Sequence, residues 1–596
     1  MIDFFPPVLV FILGAILIPF LRGWVRSAYM LFLPVAAMVV LTGIPHGTYT
    51  VMPFLDGELL MRFDKLSNVF GYAFITITFI AVIYAMHLKN TGEQTAAIIY
   101  AGSALGVVYA GDLLSLFVFW EMLTLSAAFI IWSNRTQKAQ GAGFRYLLVH
   151  IFGGLCLLVG IILHVQQTGS LGFDYIGVNG VASYLMLLGV AVNTAIPPLH
   201  AWLTDSYPEA SVTGTIFLSV FTTKTAVYVM ARAFPGAEIL IVLGAVMTVF
   251  PIFYAVLEND LRRVLCYSLI NQIGFMVVGI GVGTSLAVNG AAAQAFVHII
   301  FKSLLFMSVG AVLYRTGTAL ATDLGGLYKT MPITMVFCVI GAASISAFPL
   351  FSAFATKSMI MSAVGYESLT VVWLLMLFAS AGVFHHAGIK IPYFTFFSHD
   401  SGRRPKEAPL NMLIAMGLAA FICIFVGVYP QPLYNLLPFP VDYAPYTANH
   451  VVTQLLLLFS ASLAFGILMY TRYYPPELRS VNLDVDWFYR KAAPAVIKVA
   501  GAPVAAFSAW LGHFFLQKIP QFLIRFGQNP SALVKVTLEY LTMPFRSQEC
   551  RVQIMEDYRT VKVSCESYVL KPWSISAAIT FVTLFLAIYL FVYYVY

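Results

Sequence analysis

The chain has 596 residues, of which 60% are hydrophobic and only 10% charged, with a mean hydropathy of +0.86 and a formal net charge of +7. Soluble domains carry about 25% charged residues, so this is the composition of a polytopic helical membrane protein. The basic residues are scattered through loops and form no nucleic-acid footprint.

Spanning helices need about 20 apolar residues. The predicted spans are 4–21, 27–44, 66–88, 95–110, 113–132, 142–166, 181–203, 210–233, 237–257, 263–282, 287–314, 331–364, 369–396, 409–429, 449–470 and 573–595, about sixteen by hydropathy. The first lacks a basic flank and a small-residue cleavage site, so it reads as a retained span and not a signal peptide. The seventh is interrupted at Pro197 and Pro198, and the twelfth near Pro349. Backbone freed by such a break is tolerated only inside protein or beside water, and transporters use broken helices to bind ions. The two breaks are five spans apart, so spans 4–8 and 9–13 are expected to be two five-helix repeats, the second inverted because five is odd.

Loops after odd-numbered spans carry Arg22, Arg26, Lys89, Arg135, Lys138, Arg262, Arg263, Arg315, Lys329, Arg403, Arg404 and Lys406, whereas loops after even-numbered spans carry Arg62, Lys65 and Arg232. The positive-inside rule then puts odd loops in the cytoplasm and both termini outside. Six domains are expected: 1–94 with spans 1–3, 95–235 and 236–397 with the two repeats, 398–470 with spans 14 and 15, a charged segment 471–571, and a final span in 572–596. Within the charged segment, 493–526 is apolar with widely spaced basic residues. It is expected to lie along the interface as an amphipathic helix, because Pro503 and Pro520 disfavour a straight span.

Ionisable residues inside spans are expensive and mark function by default. Glu121 lies well inside span 5 and Lys224 deep in span 8. His298 and Lys302 are four apart in span 11 and so share a helix face. Lys357 follows the Pro349 break. Auxiliary candidates are Asn193, His200 and Asp205 around the first break, and His385, His386 and Lys390 in span 13. His150 and His164 read as packing or interface residues. Burial disfavours an ammonium while a nearby carboxylate favours it, so a lysine between those influences can load and unload a proton. The six cysteines show no metal or CxxC spacing, and no Gly-rich phosphate loop is present, so no metal site or cofactor is expected.

At these residues the sequence resembles the antiporter-like subunits of respiratory complex I and of Mrp-type cation/proton antiporters, and most of all the D branch of the Mrp subunits. The resemblance rests on GDLLSLFVFWEMLTLSA (111–127), IPPLHAWLTDSYPEA (196–210), TTKTAVYV (222–229), ENDLRRVLCYSLINQIGFM (258–276), HIIFKSLLF (298–306), DLGGLYKTMP (323–332) and SAFPLFSAFATK (346–357). It implies an all-α membrane fold with two inverted repeats, a lateral C-terminal helix and a central polar axis. On that axis Glu121 is the acidic partner, Lys224 the lysine of the first half-channel, His298 and Lys302 the second half-channel, and Lys357 the terminal lysine. It further implies a subunit that moves protons, or exchanges them for Na⁺ or K⁺, among partner subunits and without being an enzyme. A proton-pumping subunit of a redox-driven complex and a scaffold that has lost transport are the alternatives. Two departures stand out: Asn193 occupies the place of the family's span-7 lysine, and Thr204 replaces a proline. With no lysine at 193, Glu121 is expected to interact with Lys224 directly or through water.

Overall fold

A computed structural model describes residues 5–54, 57–475, 477–479, 482–528, 530–566, 579–580, 582–586 and 588–589. It divides into two compact units, Met1–Trp487 and Phe488–Tyr596.

In the first unit a helix meets each of the first fifteen predicted spans. Spans 1–3 are Pro7–Leu17, Gly23–Gly43 and Lys65–Ala85. Spans 4–8 are Thr91–Tyr109, Leu113–Trp132, Gln137–Thr168, the pair Val181–Thr194 and Ala201–Ser206, and Gly214–Ala233. Spans 9–13 are Glu238–Leu257, Leu261–Val282, Ser285–Thr316, the pair Pro332–Ile345 and Ser352–Tyr366, and Thr370–Phe397. Spans 14 and 15 are Leu410–Val428 and Ala448–Tyr470. The predicted span 573–595 lies largely outside the described residues. Spans 8 and 10 are buried along their apolar windows, and span 11 nearly so.

Spans 4–8 and 9–13 repeat one another in detail. The third helix of each repeat has 32 residues and the fourth is broken. The second helix of each is capped by an aspartate, Asp112 or Asp260, whose side chain accepts from backbone N–H groups of the first turn. The third helix of each ends on a left-handed glycine, Gly169 (φ 70°) or Gly317 (φ 78°). Just beyond that glycine the chain bridges back to the capping aspartate: Leu113 N–H donates to the Leu171 carbonyl and Leu261 N–H to the Ala319 carbonyl, at 2.8 and 3.0 Å. Each break carries an alanine at positive φ, Ala195 (62°) and Ala347 (55°).

The repeats are inverted. Loops after even spans meet on one face, where Arg62, Asp174, Arg232, Gly283 and Phe439 line one cavity. Loops after odd spans meet on the other: Asn134 donates to the Glu209 carbonyl, Arg262 to the Ala210 carbonyl and Arg403 to the Asp323 carbonyl.

Three features depart from expectation. A two-stranded antiparallel hairpin, Gly47–Phe54 with Gly57–Phe63, stands between spans 2 and 3, and among the described residues the rest of the regular structure is helical. Its Thr-Tyr-Thr-Val start and Asp56-Gly57 dipeptide are strand and turn signals, overshadowed by the hydropathy of the flanking spans. Span 13 passes through two π-helical stretches, Phe384–Ile389 and Tyr393–Phe397. In the second unit Pro503 and Pro520 do not interrupt the helix, which runs from Phe488 to Gln528 and accommodates Pro520 behind a π-turn at Phe514–Lys518. At 1.5 Å per residue it is about 60 Å long, roughly twice a hydrocarbon core of about 30 Å. Helices Pro530–Thr542 and Gln548–Glu566 complete the described part of that unit.

Candidate functional site: a buried polar axis

Side chains pair with backbone at both helix breaks, from within the span at the first and from elsewhere in the fold at the second. At the first, Trp202 Nε1 donates to the Val192 carbonyl at 2.9 Å. At the second, Gln454 donates to the Ser346 carbonyl and Tyr446 receives the Leu350 N–H, each at 3.2 Å. Part of the backbone at each break is thereby paired inside the protein, as the membrane interior requires.

Lys224, His298, Lys302, His386 and Lys390 are fully buried, and Lys357 nearly so. Lys224 lies within electrostatic reach of Lys302, His298 within reach of both, and His386 within reach of Lys302 and Lys390. The sequence candidates of spans 8, 11 and 13 are thus near enough to sense one another's charge. Lys224 Nζ donates to the Ser219 carbonyl at 2.6 Å. Lys302 Nζ, Lys357 Nζ and both ring nitrogens of His298 and His386 have no hydrogen-bond partner among the described residues. Leaving a buried polar group unpaired costs about 1–3 kcal/mol, and more for a charge. Several such groups in one repeat are a standing cost to stability, which points to exchanging protons.

Lys357 is reached from this series through amides that sequence reasoning missed. Thr356 donates to Gln294 at 2.6 Å, Gln294 to Gln272 at 3.0 Å and Gln272 to Asn271 at 3.0 Å. Gln294 stands one turn before His298 on span 11. Lys357 Nζ sits 5.0 Å from the Phe275 ring centroid and lines a cavity of about 740 Å³ with Asp442, Tyr443 and His450. That cavity is walled by the loop after span 14, on the even-loop face.

The opposite end is built by residues after span 15, also missed because nothing local marks them. Glu477 pairs with Lys390 at 2.9 Å, and Lys390 also donates to the Val256 and Glu258 carbonyls at 2.6 and 2.7 Å. Asn482 donates to Glu258 at 3.0 Å and Arg479 to Asp323 at 2.6 Å. Asp484 accepts from His200 Nε2 at 3.1 Å and from the Tyr267 hydroxyl at 2.8 Å. Burial pushes the Asp484 carboxyl up, but the His200 and Tyr267 hydrogen bonds outweigh it and hold it below its ordinary value.

In the first repeat the candidates are less directly joined. No direct hydrogen bond or ion pair connects Glu121 to Lys224, which leaves the water-mediated form of the expected interaction. Glu121 Oε1 has no hydrogen-bond partner among the described residues and lies against Gly154 of span 6. Asn193 is buried with neither amide atom paired. Asp205 forms a two-pronged pair with Arg145, at 2.6 and 2.9 Å. His385 packs its ring against Phe465 and Tyr474. No cluster of metal-ligating side chains occurs among the described residues.

Residues 110–384 match the sequence family described as NADH:quinone oxidoreductase/Mrp antiporter, transmembrane region. The chain is 27% identical over 485 residues to the Na⁺/H⁺ antiporter A subunit of Alkalihalophilus pseudofirmus, covering 70% of this chain and 60% of that one. It is 26% identical over 419 residues to a probable K⁺/H⁺ antiporter A/B subunit of Rhizobium meliloti, covering 65% of this chain and 42% of that one. It therefore spans about half the length of these antiporter relatives, which are named as A-type and not D-type subunits. Among solved structures, a chain of the membrane-bound sulfane sulfur reductase, an archaeal respiratory membrane complex, is similar with TM-score 0.69 and 23% identity, covering 86% of this chain and 99% of that one. A chain of the Mrp complex from a Dietzia species is similar with TM-score 0.64 and 20% identity, covering 72% and 94%. Residues 110–384, a little under half of the chain, are thus similar to the transmembrane region shared by NADH:quinone oxidoreductases and Mrp antiporters.

Proposed function

We propose that this protein is a proton- or cation-translocating subunit of a multi-subunit monovalent cation/proton antiporter of the Mrp type, and not itself an enzyme. One observation supports the reading: a buried series of titratable groups lies between the two faces within the second repeat. It starts at Glu477 and Lys390 on the odd-loop face and passes His386, Lys302 and His298. It then crosses Gln294 and Thr356 to Lys357 and its cavity on the even-loop face. Alternating loading of the lysines, each sensing its neighbour's charge, moves protons along such a line. Lys224 and Glu121 extend it into the first repeat.

The positive-inside rule puts the odd-loop face in the cytoplasm and the termini in the periplasm of a bacterial inner membrane. The six sequence domains stand within this reading, and the helix in 493–526 lies along the cytoplasmic interface. The partners are other subunits of the assembly and the surrounding lipid, and the ions are H⁺ with Na⁺ or K⁺. The resemblance to the Mrp D branch rests on the sequence motifs, while the antiporter relatives carry A-type names. A second reading, a proton-pumping subunit of a redox-driven complex, is favoured by the likeness to the respiratory membrane complex over 86% of this chain.

The test is cation-driven proton flux in vesicles holding the assembled complex, with Lys302→Ala and Lys224→Ala. Loss of flux in both with assembly intact supports the reading. Unchanged flux in both leaves a scaffold, and flux that needs electron donors and no cation selects the redox-driven alternative.

A further inference from the structure

His150 of span 6 lies as far ahead of the left-handed Gly169 as His298 of span 11 lies ahead of Gly317. By the same register Tyr146 matches Gln294 and Gly154 matches Lys302. The two four-residue ladders, Tyr146–His150–Gly154 and Gln294–His298–Lys302, therefore occupy equivalent faces of equivalent 32-residue helices. In the second repeat the ladder ends in a lysine. In the first it ends in a glycine, and the space left by the missing side chain holds the Glu121 carboxylate of span 5.

His150 is fully buried. Its Nδ1 is 2.9 Å from the Tyr146 carbonyl, which can only accept, so Nδ1 carries the hydrogen and Nε2 is left with its lone pair. Nε2 has no partner among the described residues. The ring stacks on Tyr146 at 3.8 Å and meets Trp202 edge-on at 4.4 Å. Tyr146 continues toward the lysine: its hydroxyl is 3.3 Å from Thr222 Oγ1, two residues before Lys224, and Thr222 Oγ1 is also 2.6 Å from the Tyr100 hydroxyl.

We propose that His150 is a proton-relay residue between Glu121 and Lys224, holding in the first repeat the place that His298 holds in the second. The proposal rests on the proton-transport reading above. A protonated Glu121 gives its proton to His150 Nε2, directly or over a water, and returns to carboxylate. The ring becomes an imidazolium while Nδ1–H stays on the Tyr146 carbonyl. The same proton then leaves Nε2 for a neutral Lys224 amine, which becomes the ammonium.

The test compares His150→Phe, His150→Gln and His150→Lys in the assembled complex, with Lys224→Ala as reference and thermal melting to confirm folding. A relay predicts that Phe and Gln lower proton flux by about tenfold or more and that Lys, which can carry a proton, recovers most of it. A packing role predicts the reverse order, because Phe keeps the stacking on Tyr146 and Trp202 and Lys does not. Flux within twofold of wild type in a folded His150→Phe or His150→Gln protein, with Lys224→Ala inactive, overturns the relay and leaves the transport reading standing. Full flux in Lys224→Ala as well removes the transport reading and the relay with it.

Discussion

The imidazole of His200, in the break of span 7, donates to the carboxylate of Asp484, a residue beyond the end of span 15, at 3.1 Å. Asp484 also receives the Tyr267 hydroxyl of span 10 at 2.8 Å. One carboxylate therefore ties the first repeat's broken helix to the second repeat.

Asp484→Ala leaves the buried His200 and Tyr267 groups without this acceptor. At about 1–3 kcal/mol for a buried group left unpaired, the complex is expected to melt several degrees lower. Thermal melting in detergent checks it, and a melt superimposable on wild type would show that the residue holds nothing.

Asn193 is buried with both amide atoms unpaired, in the span whose Val192 lies against Gly153 of span 6, next to the Gly154 against which Glu121 lies. Asn193→Lys is expected to be tolerated only through Glu121. The double variant Asn193→Lys/Glu121→Gln should then be less stable than the two single changes combined, by about 1 kcal/mol or more of coupling. Additive stabilities in that double-mutant cycle would place the two residues out of contact.

Gly154 has no side chain where Glu121 Oε1 lies, and a Cβ there would overlap the carboxylate oxygen. Gly154→Ala is expected to displace Glu121 and cut proton flux at least as far as Glu121→Gln does. Because alanine favours a helix over glycine by about 1 kcal/mol, the loss should come without a comparable loss of melting temperature. Wild-type flux in Gly154→Ala would mean that the position of this carboxylate does not matter.

On the even-loop face Asp64 pairs with Arg232 at 2.8 Å and with Arg62 at 3.1 Å. Burial pushes its carboxyl up, but the Arg232 guanidinium, the Ser67 N–H and Arg62 together hold it below the ordinary carboxylate value. A carboxyl lowered on folding contributes stability in full above its unfolded value of about 3.9 and loses it as pH falls through the folded value. Wild type is therefore expected to lose melting temperature below about pH 4. Asp64→Asn should melt lower at neutral pH and show a shallower acid slope; parallel acid slopes would contradict the assignment.

Hydropathy, proline and charge are local properties, and they were enough to locate spans 1–15, both breaks, and the lysines and histidines that the fold buries. The five-span offset between Pro197-Pro198 and Pro349 already implied an inverted pair, because span counting is also local. The hairpin before span 3, the Asp484 and Glu477 contacts and the amide chain from Thr356 to Asn271 were not legible. Each pairs residues far apart in sequence whose types are ordinary where they stand. Sequence also left open how Glu121 and Lys224 communicate: they share neither a hydrogen bond nor an ion pair in the fold. Span 6 lies against Glu121 and bonds to the turn that carries Lys224, and it is there that His150, unremarkable in a run of apolar residues, comes into register with His298. Burial made the charged residues conspicuous in the chain, but only the packing of one helix against another decided which of them meet.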